Sequence, residues 1–381
     1  MKRIAIIRQK FNPAGGAERV VSAILRQLQG HAALHTLLIN RKWEAVPGIE
    51  AHSVNPFYLG SVWRDWGFAR AARRLWQALD AALVLSHERI PGCHVYRADD
   101  GVHAAWLAVR RQRGGMGARV AMALNPYHHY MLAMEQRMYR DPAFRAVVCI
   151  SEMVKRDVMQ YTGLPAERCH VIYNGIDSAF FNPQDARTQR DSLRQQYGIS
   201  ADAPVLLYVG SGFERKGLAQ ALRAIVPHPE VQLVVVGSDK KSRHYQALAQ
   251  QLGVAGRVHF AGAQRDVRSY YGMADGFILP SIYEPFGLVV AEAMACGLTV
   301  LTSTRCGGGE LLQPGQTGWL AAPDATAEWQ HNVGQWLAAR ASWPQMGAQA
   351  RQAVLPYTEQ RMVGQMLALF ARLLPDAEGL A

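Results

Sequence analysis

The sequence predicts an α/β fold of two domains, each built on a doubly wound parallel sheet. At 381 residues the chain is too long for one ordinary domain of roughly 150 residues. Short β-rich runs alternate with helical stretches, as they do when helices cover parallel sheets. Several runs in the second half end in glycine, which is typical of tight strand-to-helix turns. Since such folds bind ligands at the carboxyl ends of their strands, we expect a central cleft between the domains.

The first half, residues 1–175, contains the elements of the first predicted sheet. We expect strands at Arg3–Ile7, His35–Ile39, Ala82–Ser86, His94–Arg97, Ala146–Ile150 and His170–Tyr173, and helices at about 17–29, 65–80, 128–140 and 152–161.

The second predicted sheet begins near residue 203. A polar stretch from Asn174 to Ala203, containing Gly175 and Asn182–Pro183, is the predicted linker before it. Strands are expected at Pro204–Gly210, Val231–Gly237, Val258–Ala261, Gly276–Pro280 and Leu298–Thr302.

Composition restricts the class of protein. Hydrophobic residues make up 49% and charged residues 19%, which excludes a disordered chain. No run reaches the roughly 20 apolar residues of a spanning helix, and the short apolar run after Met1 predicts a buried strand rather than a signal peptide. The five cysteines form no CxxC pair and have no metal-ligand spacing with histidines, so we expect free buried thiols and no metal site.

The positive charge lies in the first half. Up to Gly175 there are 24 Lys and Arg against 13 Asp and Glu, whereas from Ile176 onward there are 17 of each kind. A one-sided basic domain indicates an anionic partner: a membrane surface, a nucleic acid or a phosphorylated glycan. No nucleic-acid-binding motif is visible, so we expect no nucleic-acid partner.

Two glycine-containing loops follow predicted strands. Gly15 and Gly16, after the first strand, open a helix whose N-terminus can bind a phosphate, although a simple turn would give the same pattern. The second loop runs from Gly210 to Gly217 and places Arg215 and Lys216 beside a helix start. These two cations suit a diphosphate leaving group, and two solvated loop cations are the alternative.

The segment from Pro280 to Met294 carries two acidic residues. Pro285 suits the first turn of a helix, which would put Glu284 at its entrance and Glu292 about two turns later, roughly 12 Å along the axis. That span matches an extended nucleotide sugar, with one carboxylate on the sugar and the other on the ribose. A glycosidase pair would lie about 5–9.5 Å apart. A dipole-favoured Glu284 and a solvated Glu292 are the alternative.

Together these segments resemble glycosyltransferase family 4. The matching segments span residues 15 to 310 and are Gly15–Arg19, Val171–Asp177, Arg215–Gly217, the pair Glu284 and Glu292, and Gly307–Glu310. Within that family, Val95–Asp100 and the Val209–Gly217 segment resemble bacterial lipopolysaccharide core glucosyltransferases. The resemblance implies a GT-B fold of two Rossmann-like domains, with the last helix returning to the first. The expected domains are therefore 1–175 with about 360–381, and 176–359.

The resemblance also implies the roles of individual residues. Arg215 and Lys216 would bind the diphosphate, Glu284 the donor sugar and Glu292 the ribose. The remaining donor contacts would come from Gly212, from the backbone of Phe286, Gly287 and Leu288, from Gly15 and Gly16 on the first domain, and from His259 near the base.

One position departs from the family pattern. Many members have a His after the strand corresponding to His94–Arg97, whereas this chain has Asp99–Asp100 there with His103 nearby. We assign Asp100 to the acceptor or to a sugar hydroxyl, with a turn-forming Asp as the alternative.

The expected activity is transfer of glucose from UDP-glucose to a lipopolysaccharide core or similar lipid-linked glycan, with retention of anomeric configuration. Arg215, Lys216, Glu284 and Asp100 form the expected catalytic set, with no metal and no cofactor. A cytoplasmic protein held at the inner face of the membrane is expected, because aromatic residues and arginines mix on one predicted helix and further arginines follow in a predicted loop. These residues are Trp63, Arg64, Trp66, Arg70, Arg73, Arg74 and Trp76, and then Arg110, Arg111, Arg113 and Arg119 in a predicted loop. Helix packing with solvated arginines would give the same mixture.

Two other functions fit parts of this pattern. A nucleotide-sugar epimerase on the same fold would bind the donor without an acceptor, and a non-catalytic basic membrane-surface protein would bind no donor. Product analysis with and without a glycan acceptor separates the first from a transferase, and titration with nucleotide diphosphates identifies the second.

Overall fold

The computed structural model describes residues 2–9, 16–29, 31, 33–42 and 47–374, except the side chains of residues 16–18. The chain forms two compact units, Met1–Gly175 with Glu359–Ala381, and Ile176–Thr358. In both, every strand pair among the described residues is parallel.

Unit 1 is a seven-stranded sheet with helices packed against it. In sequence order the strands are β1 (Lys2–Ile7), β2 (Leu34–Asn40), β3 (Glu50–Ser53), β4 (Leu83–Ser86), β5 (Val95–Arg97), β6 (Ala146–Cys149) and β7 (Cys169–Val171). Their order in the sheet is β3-β2-β1-β4-β5-β6-β7. The central strands are fully buried, so they are nearly continuous apolar runs such as Ile4–Ile7.

Unit 1 also contains helices, and local sequence defines both ends of one of them. They are α1 (Gly16–Leu28), α2 (Gly60–Ala78), α3 (His103–Arg113), α4 (Met116–Leu124), α5 (Pro126–Tyr139), α6 (Glu152–Thr162) and the C-terminal α15 (Glu359–Leu373). The Ser151 hydroxyl caps α6 by accepting from Val154 N, and Gly163 ends it in a left-handed conformation. α15 packs against α1 within this unit, and Arg26 pairs with Glu359 at 3.2 Å.

Unit 2 is a six-stranded sheet in the order β10-β9-β8-β11-β12-β13. The strands are β8 (Val205–Val209), β9 (Gln232–Val236), β10 (Val258–Gly262), β11 (Gly276–Leu279), β12 (Thr299–Ser303) and β13 (Gly318–Ala321). The helices are α7 (Pro183–Arg187), α8 (Arg190–Gln196), α9 (Leu218–Ala224), α10 (Ser242–Gln251), α11 (Arg268–Met273), α12 (Leu288–Ala295), α13 (Thr326–Ala338) and α14 (Trp343–Val354).

The structure confirms the two doubly wound parallel sheets and corrects three local expectations. The 174–203 stretch is not an open linker, because it contains α7 and α8, and Arg194 of α8 pairs with Asp275 at 2.8 Å within unit 2. The predicted loop around Arg110 and Arg119 forms α3 and α4. β3 and β13 were not predicted. No helix in the described ranges is long and apolar enough to cross a bilayer.

Candidate functional site

The order in which the chain adds parallel strands reverses in the middle of the unit 2 sheet. From β8 the chain moves outward to β9 and β10, and it then returns to the other side of β8 to form β11, β12 and β13. Loops that follow β8 and β11 therefore diverge, which opens a crevice at the carboxyl ends of these two strands. The 210–217 loop follows β8 and the 280–287 segment follows β11, so two of the predicted motifs meet at this point.

Three charged side chains meet in this crevice. Arg215 Nη1 lies 2.9 Å from Glu284 Oε2, and Lys216 Nζ lies 3.5 Å from the same oxygen. Arg215 also donates to the Tyr283 carbonyl at 3.2 Å, and its own carbonyl accepts from Ile282 N at 2.8 Å. The two loops are thus joined by main-chain and side-chain bonds.

The electrostatics favour an ionised carboxylate and leave excess positive charge. Burial alone would raise the pKa of Glu284, but the charges and hydrogen bonds of Arg215 and Lys216 outweigh it and lower the pKa. Two cations face one carboxylate, so the trio carries a net charge of +1. The Arg215 side chain is 38% exposed and that of Glu284 is 11% exposed.

Gly217 allows the loop to lie against β11. Its φ is +74°, and a Cβ there would overlap the Pro280 carbonyl oxygen. It therefore needs both the left-handed conformation and the missing side chain of glycine. Lys216, immediately before it, has its stem folded over Gly210, so the backbone directs the ammonium group toward Glu284.

The helix after Glu284 begins later than the sequence indicates. Pro285 is not in its first turn, because Gly287 has a left-handed φ of +84° and α12 begins at Leu288. Glu284 instead forms an isolated parallel bridge with Cys306, donating its N–H to the Arg305 carbonyl at 2.9 Å. The 12 Å axial spacing that we expected between Glu284 and Glu292 assumed one continuous helix, so it does not apply.

Glu292 is buried in the second turn of α12. It is 1% exposed, and its Oε2 accepts a hydrogen bond of 2.8 Å from the Tyr271 hydroxyl of α11. The prediction that Glu292 is not an ordinary solvated residue is therefore confirmed. Phe286, Gly287 and Leu288 lie between the two carboxylates along the chain, at the entry to α12, and Gly212 lies in the loop after β8.

The structure does not bring His259 to this crevice. His259 is the second residue of β10, and its Nε2 lies 2.9 Å from Oε1 of Gln232, the first residue of β9. Both residues are therefore near the amino ends of their strands, whereas the cations and Glu284 follow the carboxyl ends of β8 and β11.

The predicted site residues of unit 1 are Gly15, Gly16 and Asp100. Gly15 lies outside the described residues, and Gly16 is the first residue of α1. Asp100 is exposed in the turn between β5 and α3, whereas Asp99 is buried against Arg97 and His87. Sequence reasoning did not find the buried groups around this turn, among them Arg89 and Glu135, because ion pairs between distant residues leave no local pattern.

Two family models match the chain, and each covers most of one unit. Residues 14–180 match the family model described as Glycosyltransferase Family 4, and residues 189–353 match the one described as Glycosyl transferases group 1. The chain is 30% identical over 255 residues to the lipopolysaccharide glucosyltransferase WaaG of Escherichia coli strain K12. That match covers 66% of either chain, slightly under two thirds of the relative's length.

Two solved structures are similar over nearly the whole chain. The crystal structure of WaaG, a glycosyltransferase involved in lipopolysaccharide biosynthesis, has a TM-score of 0.81 and 24% identity, covering 98% of this chain and 100% of that one. Anabaena Alr3699/HepE in complex with UDP-glucose has a TM-score of 0.73 and 21% identity, again covering 98% and 100%. At these identities the likeness concerns the fold.

Proposed function

Since this chain belongs to the family 4 and group 1 glycosyltransferases, we propose that it transfers glucose from UDP-glucose to a lipopolysaccharide core or similar lipid-linked glycan, with retention at the anomeric carbon. The predicted GT-B fold is confirmed by the two parallel sheets and the whole-chain likeness to WaaG. The observation that carries the proposal is the meeting of Arg215, Lys216 and Glu284 where the unit 2 sheet reverses. The names of similar proteins, a lipopolysaccharide glucosyltransferase and a UDP-glucose complex, support the choice of donor and acceptor.

The cation pair suits the leaving group. When the bond between the anomeric carbon and the diphosphate oxygen breaks, negative charge develops on the departing UDP. Arg215 and Lys216 would stabilise this charge, and removing one such donor typically costs about 10²–10³ in rate. The acceptor oxygen forms the new bond on the same face of the sugar, and its proton passes to the leaving phosphate oxygen.

The carboxylates suit the two ends of the donor. Glu284 is ionised, so its oxygens would accept hydrogen bonds from the hydroxyls of the transferred sugar. Glu292 would hold the ribose hydroxyls, oriented by its bond from Tyr271. Because two protein cations would face the diphosphate, we propose that the reaction requires neither a metal nor another cofactor.

The basic unit 1 is proposed to hold the protein at the inner face of the cytoplasmic membrane. Trp63 and Trp66 on α2 are exposed, and Arg70 lies over the Trp66 ring at 5.9 Å. On α4, Leu124 and Met116 are each 75% exposed. Trp76 does not contribute, because it is buried in the core. Exposed apolar groups next to arginines are suited to an anionic lipid interface.

A transfer assay with product analysis tests the activity. Incubation with UDP-glucose and deglucosylated lipopolysaccharide core should release UDP and form an α-glucoside, identified by the anomeric proton coupling in NMR spectra. A β-linked product would contradict retention. Conversion of UDP-glucose to another UDP-sugar without acceptor would contradict transfer and indicate an epimerase.

Substitutions in the crevice test the assigned residues. We expect Lys216→Ala and Glu292→Ala each to lower kcat/KM for UDP-glucose by about a hundredfold or more. Arg340→Ala is the matched control, since Arg340 is an exposed cation of unit 2 that donates to the Asp202 carbonyl at the amino end of the sheet. Near-wild-type turnover in both crevice variants would refute the site.

A further inference from the structure

The turn between β5 and α3, residues 99–102, is held from both sides by buried arginines. Its backbone is compact: Asp99 N donates to the Arg97 carbonyl and Gly101 N to the Ala98 carbonyl, each at 3.0 Å. The resemblance to core glucosyltransferases assigns Asp100 of this turn to the acceptor or to a sugar hydroxyl, and we adopt the acceptor role here as part of the proposed function. The groups that fix the neighbours of Asp100 therefore determine where its carboxylate lies.

Arg97 holds the side of the turn that follows β5. Its side chain is fully buried, with Nη1 paired to Asp99 and Nη2 donating to Asn174 Oδ1 at 2.7 Å. The same Nη2 lies 3.5 Å from the sulfur of Met362 on α15, which also accepts from Gly175 N at 3.4 Å. Arg97 thus connects the turn to both places where the chain leaves and re-enters unit 1.

His87 completes this side of the turn. Its Nδ1 hydrogen-bonds the second oxygen of Asp99. Burial would raise the pKa of Asp99, but the charge of Arg97 and the hydrogen bond from His87 outweigh it and lower the pKa. The Asp99 carboxylate therefore stays ionised and bound on both of its oxygens, so it is not available to a substrate.

Arg89 holds the opposite side of the turn. Its Nη2 donates to the Gly101 carbonyl at 2.8 Å, and its Nε donates to Glu135 Oε1 at 2.9 Å. Glu135, itself buried, accepts from His103 N at 3.0 Å and from Ala104 N at 3.4 Å. It thus replaces the missing side-chain cap at Val102 and fixes the start of α3.

Two balanced ion pairs are therefore buried around one exposed acidic residue. Ion pairs buried in this way seldom stabilise a fold more than apolar packing would, so stability alone explains them poorly. They do fix the position of a short polar turn, because their polar groups hydrogen-bond its backbone. Apolar side chains could not form these bonds. A displacement of 1 Å at a reacting group can cost about a hundredfold in rate.

We propose that Arg89 and Arg97 are positioning residues that fix the 99–102 turn so that Asp100 meets the acceptor. This inference rests on the proposed function, and in particular on the acceptor role of Asp100. It assigns no contact between either arginine and a substrate.

Kinetics of the full-length protein test the proposal, with UDP-glucose and core acceptor as substrates. In Arg89→Met and Arg97→Met we expect the kcat of transfer to fall about ten- to a hundredfold, while calorimetric affinity for UDP stays within about twofold of wild type. Arg89→Lys should recover part of the loss. An ammonium group can reach either Glu135 or the Gly101 carbonyl, but it cannot bind both as the guanidinium group does.

Arg194→Met is the matched control for lost stability. Arg194 is also a buried, ion-paired arginine, but it binds Asp275 before β11, at the amino end of the unit 2 sheet. We expect a similar drop in melting temperature with transfer kcat within about threefold of wild type. Should either Met variant fail to fold, Arg89→Lys and Glu135→Gln provide the same comparison.

Three outcomes separate the inference from the function on which it depends. Absence of transfer by the wild-type protein would overturn the proposed function. Normal transfer by Asp100→Asn would overturn the role of Asp100 and the inference with it. If Asp100→Asn is impaired but the arginine variants transfer normally, or lose UDP affinity and kcat together, only the positioning inference fails.

Discussion

Glu284, Arg215 and Lys216 show how residues far apart in sequence form one charged group. Each is placed by its own loop, and each loop follows a strand next to the reversal in the unit 2 sheet. Local sequence predicted Arg215 and Lys216 because loop glycines beside adjacent cations form a recognisable pattern, and it predicted Glu284 from its place before the expected helix start at Pro285. It could not predict Arg89 and Glu135, which are 46 positions apart and pair only in the folded chain.

Residue chemistry also gives unit 1 a dependence on pH through His103. Burial, and then the Arg89 charge, lower the pKa of His103 to about 4, and its Nε2 lies 3.2 Å from Nδ1 of His128. The unfolded chain binds this proton near the ordinary value of 6.5. The folded protein is therefore destabilised as the pH falls from about 6.5 toward 4, and keeps its full stability above that window.

We expect the melting temperature of the wild-type protein to fall by a few degrees more than that of His103→Gln when the pH is lowered from about 7.5 to about 5. Thermal unfolding followed by circular dichroism measures both. His244→Gln, at an exposed histidine of α10, should behave like wild type. Equal pH dependence in wild type and His103→Gln would contradict this assignment.

At the scale of elements, strand positions were easier to predict than helix starts. Buried parallel strands are apolar runs that sequence shows directly, and eleven of the thirteen were placed within one or two residues of their ends. The start of α12 was misplaced because Pro285 is a local helix signal, whereas the Glu284–Cys306 bridge and the conformation of Gly287 are set by tertiary contacts. α3 and α4 were missed because Gly114, Gly115 and Gly117 lie between them and in α4, which is typical of a loop.

The 210–217 loop is expected to be sensitive to substitution at Gly217. In Gly217→Ala the new Cβ would overlap the Pro280 carbonyl, so the loop must move away from β11 and take Lys216 with it. We expect at least about tenfold weaker UDP binding together with a lower melting temperature.

Gly253→Ala provides the control for backbone strain. Gly253 has a similar positive φ of +70° but open space around its Cβ position. Its substitution should cost about 1–2 kcal/mol of stability and leave UDP binding unchanged. Comparable loss of UDP affinity in both variants, measured by calorimetry, would show that strain rather than the contact with Pro280 determines the loop.

At the scale of the whole molecule, charge and chemistry are divided between the units. The described residues that we propose bind the donor, other than Gly16, lie in unit 2, which has 15 Lys and Arg against 14 Asp and Glu, whereas the basic excess lies in the first half of the chain. The sequence predicted this division because the charged residues in each half of the chain can be counted without knowledge of the fold. The sequence did not show which arginines are buried, because burial depends on the fold. Arg97 is buried, whereas Arg70 is exposed.

The basic half predicts binding to anionic membranes. We expect the protein to float with vesicles containing anionic phospholipid at low salt and to remain unbound with neutral vesicles. Trp66→Ser should weaken flotation several-fold, because an exposed interfacial ring is lost. Tyr161→Ser, at an exposed aromatic residue of α6, is the control. Equal flotation with both kinds of vesicle would contradict the membrane proposal.

The central claim is that the cations after β8 bind the diphosphate of the donor, and a calorimetric titration of UDP tests it most directly. We expect Lys216→Ala to raise the Kd for UDP by about tenfold or more, since a charge-assisted contact to phosphate is lost, and Arg340→Ala to leave it unchanged. Equal affinity of wild type and Lys216→Ala for UDP would contradict the account.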